Sequence, residues 1–124
     1  MKYFLCWFIS ASCWAASHHP MDFLANVAGT PREGEVIVEH FCATCHAEKP
    51  VIALGAPRMG ASNEWANRLT AGCDVLLKHV MDGYGAMPAR GGCFECSDAQ
   101  LKMAVSAMLL HTKGLEKSCF KPLK

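Results

Sequence analysis

Cys42, Cys45 and His46 fall together in the stretch FCATCHAE. Three chemistries use such a set. Zinc needs four thiolate or imidazole ligands. A Cys-x-x-Cys pair can cycle between dithiol and disulfide. C-x-x-C-H is also the attachment signature of a covalent haem. Zinc would require Cys93 and Cys96 as the second pair of ligands, and the two pairs lie much farther apart than zinc-ribbon spacing allows. A thioredoxin-like site requires a strand before its Cys-x-x-Cys in a βαβ unit, whereas a helical pattern precedes this one. The third chemistry explains the spacing. Residues three apart lie on one side of a helical turn, so Cys42 and Cys45 can bond one porphyrin while His46 reaches the iron below the ring plane.

The motif is short, and a second ligand on the other face of the haem would make it specific; Met87 in GYGAMPARGG is the candidate. A thioether binds iron weakly and raises the potential of a Met/His pair. The glycines let backbone approach a flat ring, and Pro88 stiffens the loop. Met59 also lies in a loop and is the main competitor. Met81, Met103 and Met108 sit on helical stripes, where packing in the core is their expected role. His79 lies on a helix, where a partly exposed side chain is expected.

These residues need elements to hold them. Thr30-Pro31 with Glu33 reads as a helix start, and Gly34, Val38, Phe41 and Cys45 continue at helical spacing into CATCH. Residues 47–61 read as loop. Ser62 begins a short helix to about Thr70, with Trp65 and Leu69 on one face, and Gly72 ends it. The next helix runs from about Cys73 to Met81, with Leu76, Leu77, Val80 and Met81 as its apolar side. Residues 82–96 form a long loop, a length that in small domains usually carries function. Ser97 and Gln100 form a capping box for a last helix bearing Leu101, Ala104, Val105, Met108 and Leu109, with Gly114 as its C-cap. The expected fold is all-α, with about four helices and no strand.

The chain has 124 residues, room for one domain. Residues 1–16 carry a basic start at Lys2, an apolar run from Tyr3 to Ile9, and Ala15 and Ala16 at the cleavage positions. This is the layout of a signal peptide, and the run is too short to span a bilayer. Residues 17–30 read as a leader, with His18 and His19 in an irregular terminus, and residues 31–124 as the domain. Losing Lys2 with the signal leaves a formally neutral chain, which argues against nucleic acid as a partner. Export predicts a soluble periplasmic protein whose compartment permits disulfides. The domain is marginal for a self-sufficient core, a shortage that a bulky apolar cofactor would make good.

CATCH, GAPRMG, EWANRL, GYGAMPARGGCFECSD and AVSAML follow one another in an order that resembles the class I c-type cytochromes, and within them the bacterial cytochrome c-five group. The resemblance spans roughly Gly34 to Leu109. It implies a small cytochrome c fold wrapped around one haem c. Cys42 and Cys45 would be the thioether links, His46 the proximal ligand and Met87 the distal ligand. It also implies a small disulfide, Cys93–Cys96, and places Gly34 where the first and last helices cross. Two positions depart from the pattern: the group commonly has aromatic residues where this chain has Val38 and Ala107, so that crossing should be weakened or shifted. Cys73 and Cys119 are outside the pattern. A Cys73–Cys119 disulfide is expected, two unpaired thiols being the alternative. The implied function is one-electron transfer between redox partner proteins, without catalysis. A haem enzyme or gas sensor with an open iron site is the alternative.

Overall fold

Pro20 has no amide to leave unpaired at the start of a helix, and its fixed φ favours the first helical position. Helix α1, Pro20–Val27, begins there. Leu24 is buried, and Phe23 and Val27 pack against the core. The computed structural model describes residues 19–110 and Thr112. Its first helix therefore lies inside the segment expected to be a leader, and apolar packing starts upstream of residue 31.

The second helix, α2, covers residues 33–46 in three abutting pieces. Glu33–Ile37 is α-helical, Val38–Cys42 is π-helical and Ala43–His46 is α-helical again. A π turn adds one residue to the local repeat and re-aims the side chains that follow. Here it ends on the first cysteine, three residues before the second and four before the histidine. The helix start differs from the expected Thr30 cap. Thr30 Oγ1 donates to the Val27 carbonyl at 2.8 Å, and Arg32 is the N-cap residue. Glu33 takes over the stabilising role: its carboxylate accepts the Gly29 N–H at 2.7 Å, at the positive end of the helix dipole.

Helices α3 (Ser62–Leu69) and α4 (Cys73–Asp82) are separated by Gly72 at φ +95°. Trp65 and Leu76 are their buried anchors, and Leu77, Val80 and Met81 pack against the core as the apolar stripe predicts. A 3₁₀ turn, Ala89–Gly92, follows the 83–88 loop. Helix α5, Asp98–Leu110, starts with the expected capping box. Ser97 N–H donates to Gln100 Oε1 at 2.8 Å, and Gln100 N–H donates to Ser97 Oγ at 3.2 Å. Leu101, Ala104, Val105, Met108 and Leu109 are buried. The expected cap at Gly114 lies outside the described residues.

The core is centred on the crossing of α2 and α5. A Cβ on Gly34 would sit 2.5 Å from the Met103 carbonyl oxygen, so only glycine lets the two backbones meet this closely. Val38 and Ala107 are both buried in the core, so the crossing persists with the smaller residues. Gln100 Nε2 also donates to buried Glu33 at 3.0 Å, tying the start of α5 to the start of α2. Among the described residues there are five helices and no strand, only an isolated bridge between Tyr84 and Met87. No described helix is long and apolar enough to cross a membrane.

Candidate haem site

Helix α2 places Cys42, Cys45 and His46 within about one turn of each other, Cys42 at the end of the π segment and the other two in the α turn that follows. Both cysteines are free thiols, half-buried. Burial, with the neighbouring Cys45 adding to it, pushes the Cys42 thiol up to about 11. Cys93 and Cys96, which zinc would also need, are bonded to each other with Cα atoms 5.4 Å apart. No cluster of three or more His, Cys, Asp or Glu among the described residues could hold a metal ion.

His46 is buried. Its Nδ1 lies 2.7 Å from the Pro57 carbonyl oxygen. A carbonyl only accepts, so Nδ1 carries the proton and Nε2 keeps its lone pair for a ligand bond. Burial lowers the imidazole's proton affinity, the Pro57 bond opposes that, and the charge of Arg68 lowers it further. The net effect favours the neutral ring, the state a metal ligand requires.

The 47–61 loop returns to this histidine. Met59 N–H donates to the His46 carbonyl at 2.7 Å, which ties Met59's backbone to the segment that carries His46. Beside Cys45 a cavity of about 380 Å³ opens between apolar Pro50, Ala53 and Leu54 and charged Arg58, Glu64 and Arg68. The donor set fits a covalent haem: two free thiols on one helical turn, a neutral imidazole with its far nitrogen unprotonated, and an apolar wall with cationic groups beside it.

Met87 stands half-buried at the end of a tight reversal. Tyr84 N–H donates to the Met87 carbonyl at 3.1 Å and Met87 N–H to the Tyr84 carbonyl at 3.0 Å. Gly83 makes the turn possible at φ +85°; a Cβ there would lie 2.9 Å from both the Met87 oxygen and the Ala89 nitrogen. The Ala89–Gly92 turn packs on Val38–Cys42, so the Met87 loop and the Cys42 turn meet. His79 stacks on Tyr84 with ring centroids 4.1 Å apart.

Cys73 is disulfide-bonded, and the expected partner, Cys119, lies outside the described residues. Sequence reasoning did not single out Pro57, Arg58 or Glu64 as part of the site, and took Trp65 only as packing. Pro57 reads as a loop breaker, and nothing in its spacing from His46 announces a hydrogen bond.

A family profile described as "Cytochrome C oxidase, cbb3-type, subunit III" matches residues 29–106. Cytochrome c5 of Azotobacter vinelandii is 39% identical over 82 residues, covering 64% of this chain and 95% of that protein. Cytochrome c-555 of Chlorobaculum tepidum is 36% identical over 84 residues, covering 64% of this chain and 75% of the relative. A solved structure titled "Crystal structure of electron transfer complex of nitrite reductase with cytochrome c" matches with TM-score 0.58 and 38% identity, over 65% of this chain and 95% of that one. The chain belongs to the class I cytochrome c family. The relatives it resembles include the small c5 cytochromes, and the family profile's match begins after α1.

Proposed function

We propose that the protein is a periplasmic one-electron carrier with a single covalent haem c. Cys42 and Cys45 hold the porphyrin, His46 Nε2 is the proximal ligand and Met87 Sδ is the distal ligand. When bound, the group supplies an iron that alternates between ferric and ferrous. The His46 Nδ1–Pro57 contact carries this reading most strongly, because it leaves the imidazole with one unprotonated nitrogen for the iron. Residues 1–16 then act as the export signal, and the Cys93–Cys96 bond braces the Met87 loop.

With His46 and Met87 both holding the iron, no position would be left for a substrate, and the protein would exchange electrons without catalysing a reaction. Partners are redox proteins, met in short-lived encounters across a small interface. Val51, Ile52 and Leu54 beside the Cys45 cavity are exposed and offer such a partner an apolar contact. The nitrite reductase seen with the structural neighbour is one partner class of this kind.

Replacing Met87 with Ala tests the ligand set. The expected variant keeps a covalent c-type ferrous spectrum, loses the Met-ligated low-spin signature and binds carbon monoxide promptly, where the parent resists it. A parent protein that already binds carbon monoxide promptly supports the open-site alternative instead.

A further inference from the structure

Resting on the haem reading above, we propose that Trp65 and Glu64 of α3 are positioning residues for His46. They act through the three-residue segment Pro57-Arg58-Met59. Four of its backbone polar groups are taken, and the Arg58 carbonyl accepts the Ala61 N–H at 3.1 Å as well. The Pro57 carbonyl accepts from His46 Nδ1 at 2.7 Å, and the Met59 N–H donates to the His46 carbonyl at 2.7 Å. From the other side, Trp65 Nε1 donates to the Arg58 carbonyl at 2.8 Å, and the Arg58 N–H donates to Glu64 Oε2 at 2.9 Å. The Arg58 guanidinium closes on Glu64 Oε1 as well. The segment is a strap: one edge is fastened to His46 and the other to the first turns of α3.

Trp65 fits this role better than one of plain packing. It is buried, so an indole N–H without an acceptor would be costly there, and the acceptor it takes is the carbonyl immediately after the one that holds His46. Its ring also lies nearly parallel to the imidazole, at 23° with centroids 6.1 Å apart. The proton on Nδ1 is therefore held by a carbonyl that α3 keeps in place. The strength of that bond sets how much electron density Nε2 gives a metal, since a partner on the outer nitrogen raises ligand basicity. A firmer bond favours the ferric state, and a looser one raises the reduction potential.

The test uses the haem-loaded protein. Trp65→Phe keeps the ring and removes the donor. We expect the midpoint potential to rise and the His46 Nδ1 proton of the reduced protein to exchange about tenfold faster, the loss of one ordinary hydrogen bond. Leu101→Ala, a core change on α5 far from the strap in sequence, should lower the urea midpoint and leave both readouts unchanged. Should Trp65→Phe yield no loaded protein, Glu64→Gln decides: it should shift the potential upward by less. Loaded variants with the parent's potential and exchange rate overturn the assignment. A parent protein that purifies colourless overturns the haem reading itself, which is a separate outcome.

Discussion

On the His46 side, side chains fasten a short loop to a helix-borne residue: Glu64 and Trp65 hold residues 57–59, and these hold His46. On the Met87 side the candidate ligand rides on the loop itself. That loop is shaped by backbone conformation, with Gly83 at φ +85° and Arg90 at φ 58°. Arg90 sits in a left-handed region that a non-glycine residue rarely adopts. Its guanidinium offsets the cost by donating to the Cys96 carbonyl at 2.6 Å and to Asp98 at 2.8 Å. The Cys93–Cys96 bond closes the same stretch just before α5. A helix gives a ligand its position and needs only its ring orientation fixed. A loop must have the position itself specified, residue by residue. The two sides should therefore fail differently.

The largest effect is expected at Gly83. Alanine there meets both an unfavourable φ and backbone atoms at 2.9 Å. Together these should cost about 3 kcal/mol, read as a fall in the urea midpoint. The Met-ligated signature should weaken while covalent attachment through Cys42 and Cys45 persists. Equal damage to both sides would show that the loops are not independent.

Removing the clip is the next step down. Cys93→Ala with Cys96→Ala frees a very short loop, worth about 2 kcal/mol in chain entropy. Both sulfurs are buried, so the alanines also lose packing, but α5 keeps its Ser97–Gln100 box. Circular dichroism should show the helix content retained while the urea midpoint falls. A helix that melts with the clip would mean that the disulfide, not the box, starts α5.

The sequence revealed these two sides unequally. Periodicity located α2 to α5, because their apolar faces repeat at helical spacing, and Ser97 with Gln100 announced a helix start through purely local chemistry. CATCH and Met87 were legible for a similar reason, since residue type and spacing state the chemistry. Helix α1 was missed although Pro20, Phe23, Leu24 and Val27 carry its pattern. Eight residues are too few to be stable alone, and what fixes them is tertiary, such as Phe23 stacked on His40 at 4.2 Å. The π turn at Val38–Cys42 has no spacing signature in the sequence. Nor has the strap, whose members come from three segments brought together only by folding.

The smallest expected effect lies on the His46 side and depends on pH. Hydrogen bonds from the Arg58 side chain and backbone hold the Glu64 carboxyl below its usual range. A carboxyl whose folded value is depressed stabilises the protein above its unfolded value, near 4.5. That stabilisation is lost as pH falls through the lower folded value. The parent should therefore exceed Glu64→Gln in urea midpoint at neutral pH, and the gap should close as pH falls below 4.5 and through the depressed folded value. Both groups are near solvent, so salt should shrink the gap as well. The Met87 signature should not follow this titration, because the Glu64 carboxylate bonds Arg58 of the strap and not the Met87 loop. If the Met87 signature and the gap fade together, the strap and the Met87 loop form one unit, and the contrast between the two sides is wrong.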